Sequence, residues 1–114
     1  MNIKKELTKG SSSLLVLSVL EKEDLYGYRI IKEIEMRSEF VFSLKEGTLY
    51  PILHAFEKQG YVESYWVGNE GERRRKYYHL TKKGAKVLAE NRQEWESYSK
   101  AVGKVIGGVV NATS

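Results

Sequence analysis

Arg73, Arg74, Arg75 and Lys76 form an unbroken run of cations, and such a run suits one kind of chemistry. Each guanidinium presents a planar fork of donors that matches two phosphate oxygens at once, so the cluster would contact a polyanion strongly. The run is part of a wider asymmetry: residues 1–72 hold nine Lys/Arg and twelve Asp/Glu, whereas residues 73–114 hold ten and three. From Arg73 to Ala89 there are seven basic side chains and no acid. A field of that sign attracts nucleic acid, the commonest polyanion. Catalytic chemistry finds less support. His54 and His79 are the only histidines, there is no cysteine, and neither histidine has a sequence neighbour at metal-ligand or dyad spacing. The stretch GNEGE from Gly68 lacks the lysine and the spacing of a phosphate loop. The expectation is a binding protein, not an enzyme, with no metal and no cofactor.

The elements that must position these cations are bounded by composition. With 114 residues, 41% apolar and 30% charged, the chain can bury one small core. Eight Tyr, three Phe and two Trp supply large side chains for it. The longest apolar stretch, Leu14 to Leu20, is about a third of the ~20 residues that a bilayer crossing needs. No signal layout opens the sequence, and the lack of cysteine fits a reducing compartment, so a soluble cytoplasmic chain without a membrane partner is expected.

Leu7, Leu14, Leu17 and Leu20 recur at helical spacing and predict a first helix from Ile3 to Lys22, with Gly10 as its weak point. Asp24 can cap a second helix, Leu25 to Arg37, striped by Ile30, Ile31 and Ile34. Leu49, Ile52, Leu53 and Phe56 mark a third, ending at Gly60. Ser43 with Glu46 has capping-box spacing, but Pro51 fits better after a Thr48 cap, so the start lies between Lys45 and Leu49. Tyr61–Val67 and Arg75–Leu80, rich in aromatic and β-branched residues, flank a turn-forming segment and predict a β-hairpin. Thr81 can cap a last helix that breaks at Gly107-Gly108.

Three helices and then a two-stranded ribbon is the layout of a winged helix-turn-helix, mainly α with a small β-hairpin, extended here by a C-terminal helix. In that architecture the third helix enters a DNA major groove and the ribbon follows the flanking backbone, where Arg73, Arg74, Arg75 and Lys76 would meet phosphates. With its leucines inward, the third helix turns Gly47, Tyr50, Pro51, His54 and Lys58 outward, and Thr48 adds a hydroxyl near its N-terminus. The expected DNA contacts are therefore Thr48, Tyr50, Pro51, His54 and Lys58, together with the four wing cations. Glu57 would repel phosphate unless it points away.

The run Gly47-Thr48-Leu49-Tyr50-Pro51, followed by LHAFEKQGYV, resembles the recognition-helix signature of the PadR-type bacterial transcriptional regulators. Tyr26-Gly27-Tyr28-Arg29-Ile30 resembles that family's second helix, and Arg73 to Gly84 its wing and the start of its last helix. The resemblance implies a homodimeric repressor whose C-terminal helix mediates dimerisation, often against the partner's N-terminal helix, and the short tail is similar to the smaller subgroup. Ala55 departs from the pattern, since many members carry Arg in this helix.

On this reading residues 1–81 form the DNA-binding domain, 82–107 the dimerisation helix and 108–114 a tail. The stripe Leu88, Trp95, Tyr98, Val102 and Ile106 would be an exposed apolar patch in a monomer, and pairing buries it. The expected interface is Leu7, Leu14, Leu88, Trp95, Val102 and Ile106, with the chain binding an inverted-repeat double-stranded operator. Trp95, with Tyr98 beside it, could sandwich a small planar hydrophobic ligand at the dimer centre, as some short regulators of the resembled family do. The rival reading is a winged-helix interaction module for protein or single-stranded nucleic acid, with Tyr65, Trp66 and Tyr77 as a stacking platform.

Overall fold

Leucine and valine at helical spacing build the first element. In the computed structural model, which describes residues 3–107, helix α1 spans Ile3–Val19 and passes through Gly10 unbroken. It stops three residues before the expected Lys22, and its end tightens through Leu20 N to Leu17 O and Glu21 N to Ser18 O bonds of 3.2 Å each. The next segment departs from expectation. Leu25–Tyr26 form a short strand, β1, and helix α2 begins only at Gly27, running to Arg37. Tyr26 occupies the N-cap position without a side-chain cap bond, and Asp24 is engaged elsewhere. The reason is tertiary: β1 covers an edge of the ribbon that would otherwise stand unpaired, and buries Leu25 in doing so.

Helix α3 spans Glu46–Gln59 with Lys45 at its N-cap, inside the expected interval but using neither proposed cap. Ser43 instead donates to Glu35 Oε2 at 2.8 Å. Pro51 is therefore the sixth helical residue and leaves the Gly47 carbonyl without its helical donor. Strands β2 (Val62–Val67) and β3 (Arg75–Leu80) make the expected hairpin, and the sheet is three-stranded and antiparallel in the order β1-β3-β2. Helix α4 runs Lys82–Ile106, capped by Thr81, whose Oγ1 accepts from Gly84 N at 3.0 Å. The expected tail, 108–114, lies outside the described residues.

One core unites these elements. Val16 and Leu17 of α1, Ile30 and Ile34 of α2, Leu49, Leu53 and Phe56 of α3, Val62, Tyr78 and Leu88 are all buried. Each such side chain contributes ~1.5–3 kcal/mol by leaving water. Leu88 corrects an expectation: it sits in this chain's own core at 1% exposure and is not free to face a partner. Leu14 is half-buried against the same core, whereas Leu7 is exposed. The molecule measures 57 × 28 × 26 Å. A 25-residue helix is about 37 Å long, so α4 must lie along the long dimension.

Candidate nucleic-acid interface

The packing of α3 decides which of its residues can touch a ligand. Leu49, Leu53 and Phe56 face inward, and Gly47, Thr48, Pro51, His54, Ala55 and Lys58 are exposed. Tyr50 stands apart from these fully exposed residues, at the groove between α3 and the wing. It is half-buried, its ring wedged against Gly27 at the start of α2, where an added Cβ would overlap the Tyr50 hydroxyl and lie 2.9 Å from Cζ. The missing side chain at Gly27 is thus what lets α3 seat against α2. Glu57 points away from the open face, accepting from Ser64 Oγ at 2.6 Å and standing 3.8 Å from Lys76 Nζ.

Arg73, Arg74 and Arg75 are exposed and line an open groove of about 580 Å³ between the wing and the N-terminal ends of α2 and α3. Lys76 lines the groove as well but is half-buried, turned to Glu57 and to the Tyr78 ring, 5.7 Å from its centroid. Two residues that sequence reading did not connect to the arginines support them. Arg74 lies 5.3 Å from the Trp66 ring centroid and Arg75 lies 4.6 Å from that of Tyr26. Tyr26 was hidden from a linear reading because only the β1–β3 pairing, Tyr26 opposite Tyr77, brings it to the wing.

The wing's other face is tied down by Asp24. Its carboxylate accepts from the Tyr65 hydroxyl at 2.5 Å and lies 2.8 Å from His79 Nδ1, so His79 does have a carboxylate partner, 55 residues away in sequence. Burial pushes the Asp24 carboxyl up, but the Tyr65 and His79 hydrogen bonds and the charge on His79 outweigh it and hold it below its ordinary value. The same geometry corrects the idea of a stacking platform. Tyr65 opposes Tyr77 in the register, whereas Trp66 opposes Lys76, so Trp66 projects from the opposite face of the sheet. Tyr65 and Tyr77 already stack on each other, centroids 5.8 Å apart.

On α4, Trp95, Tyr98, Val102, Val105 and Ile106 are exposed, and the Trp95 and Tyr98 ring centroids lie 6.2 Å apart at 34°. Among the described residues no helix is long and apolar enough to cross a membrane.

This arrangement, a helix with an open polar face beside an arginine-lined wing, has relatives. The family model described as "Transcriptional regulator PadR-like family" matches residues 16–90. The chain belongs to the PadR-like family. It is 36% identical to a transcriptional regulator from Clostridium thermocellum of known structure, with a TM-score of 0.80 over 87% of this chain and 96% of that one. A PadR family transcription regulator from Clostridium difficile is 41% identical, with a TM-score of 0.70 over 86% of this chain and 99% of that one. Transcriptional regulator YqjI of Escherichia coli is 32% identical over 87 residues, 76% of this chain and 40% of that longer protein. The PadR-like chain is accordingly a transcriptional regulator with a winged-helix fold, and membership implies that it binds DNA.

Proposed function

We propose that this PadR-like chain is a repressor that binds an inverted-repeat operator as a homodimer. The observation that carries the reading is that the wing arginines line a groove reaching the N-terminal end of α3 at Glu46 and Tyr50, and that α3 presents Thr48, Pro51, His54 and Lys58 to solvent. Thr48, Pro51, His54 and Lys58 reach base edges in the major groove, while Arg73, Arg74 and Arg75 take phosphates on the flanking strand. Tyr50 braces α3 against Gly27, and Lys76 offsets the charge of Glu57. Two such heads on a twofold axis sit about 34 Å apart, one turn of the duplex. Ala55 is exposed but offers no donor, so side-chain donors on this face of α3 come from Thr48, His54 and Lys58.

Repression implies release. The exposed Trp95 and Tyr98 rings, tilted towards each other on α4, support a site for a small planar hydrophobic ligand where two copies meet.

A salt series on duplex DNA tests the reading. Log affinity falls linearly with log salt, with a slope near −0.9 per phosphate engaged, and an inverted repeat is bound more tightly than random duplex. Tighter binding to single strands, or no duplex binding at low salt, overturns it. For the ligand, titration with planar cationic dyes quenches tryptophan fluorescence in the native chain and fails in Trp95→Ala. Equal dye affinity in both removes the ligand role.

A further inference from the structure

An exposed arginine is a long side chain with several rotatable bonds, and immobilising it on a phosphate forfeits most of that freedom. A wing that held its guanidiniums in place beforehand would bind DNA more tightly with the same charge. Arg75 opens β3 and Arg74 precedes it, and the rings beside them lie on opposite faces of the sheet, since Trp66 pairs with Lys76 whereas Tyr26 pairs with Tyr77. Each arginine meets one of these rings: Trp66 for Arg74, at 5.3 Å, and Tyr26 for Arg75, at 4.6 Å. All four residues line the same groove. The two rings come from different elements, β2 and β1, so the wing arginines are bracketed by the sheet from both sides. Trp66 is 57% exposed on a strand whose inner end is packed, and core packing does not account for an indole there. Its uncovered π-face is the surface on which a guanidinium rests.

We propose that Trp66 is a positioning residue for DNA binding: it holds the Arg74 guanidinium over the groove in the free protein, as Tyr26 holds that of Arg75. The inference rests on the duplex-binding reading above and adds that the wing is built in advance of its ligand. Because the ring acts through the arginine and touches no phosphate, removing it weakens binding without removing a charge.

The experiment compares the full chain, Trp66→Leu, Trp66→Phe, Arg74→Ala and the double variant Trp66→Leu/Arg74→Ala on a random-sequence duplex across a salt series. Trp66 is exposed, so the leucine variant keeps the fold. Its affinity falls about two- to fivefold, the size of one solvent-exposed cation–π contact, while the salt slope stays at the native value. Trp66→Phe retains most of the affinity, and in the Arg74→Ala background the leucine change has no further effect. Native affinity in Trp66→Leu overturns the proposal. So does an equal loss with and without Arg74, which would mean that the indole touches DNA itself. Side-chain nitrogen relaxation in the free protein supplies a readout that needs no DNA: the order parameter of Arg74 Nε–Hε falls in Trp66→Leu, and an unchanged value also overturns the proposal. A native chain without duplex affinity, but with that loss of order in Trp66→Leu, sinks the duplex reading and leaves the guanidinium positioning standing.

Discussion

An added Cβ on Gly84 would run into the Tyr61 carbonyl oxygen and come within 2.7 Å of Leu80 Cδ1. That carbonyl cannot give way, because it already accepts from Thr81 N at 3.0 Å and Thr81 Oγ1 at 3.1 Å. Gly27 is crowded too, but by the far end of the Tyr50 side chain, which can swing aside. Gly84→Ala is therefore expected to cost at least about 2 kcal/mol and Gly27→Ala about half as much, as read from urea midpoints. The Gly27 change has the greater effect on operator affinity, since Tyr50 sets the seat of α3. Tyr78, 2% exposed, makes a second residue-scale prediction. Burial, with smaller contributions from Glu57 and Tyr50, pushes its hydroxyl up from 10.0 to about 12. Its folded-state value is raised, so the stability it contributes is complete below pH 10 and drains away as pH rises towards 12, because the unfolded chain ionises first. Alkaline unfolding followed by circular dichroism is expected to be shallower over that window in Tyr78→Phe.

At the scale of elements, the ends of α2 and α3 use one device with unequal residues. Both close with a left-handed residue and a pair of crossed backbone bonds: Tyr61 N to Phe56 O at 2.9 Å after α3, and Phe40 N to Glu35 O at 2.7 Å after α2. After α3 the left-handed residue is Gly60, φ 81°, as its sequence position announces. After α2 the positions are Glu39 and Phe40, φ 52° and 65°, which side chains resist. Replacing the exposed Glu39 with glycine relieves about 1–2 kcal/mol of backbone strain and forfeits about 0.5–1 kcal/mol of chain entropy. Glu39→Gly is thus expected to raise the urea midpoint by about 0.5–1 kcal/mol of stability with an unchanged m-value. A lower midpoint would mean that the turn is held by contacts of the Glu39 side chain itself.

The whole molecule is drawn out, with a radius of gyration of 15.9 Å against about 13 Å for a compact chain of this length. The excess follows from α4, which is anchored by Leu88 and by the Arg92–Glu21 pair at 2.9 Å and then carries exposed Trp95, Tyr98, Val102 and Ile106 along one stripe. A lone chain would leave that stripe in water. Sedimentation is expected to give about twice the 13.1 kDa of one chain at micromolar concentration. Val102→Lys with Ile106→Glu is expected to return the mass to one chain and to abolish the preference for an inverted repeat while leaving weak duplex affinity. A native mass of one chain would refute the pairing.

Much of this was legible in the linear chain, because the signals are local. Helical spacing of leucine and isoleucine, the Thr81 cap, the Gly60 stop and the run Arg73–Lys76 each act within a turn or two of backbone, where nearest-neighbour sterics and hydrogen bonding decide. What the tertiary structure alone decided is every pairing between distant segments. Asp24 left its place before α2 for Tyr65 and His79, Leu25 and Tyr26 became a strand, Leu88 went to the core, and Tyr50 settled half-buried against Gly27. Such choices follow from which groups must be desolvated together once the chain closes on itself, and that competition is settled by packing over the whole fold, not by any residue's neighbours in sequence.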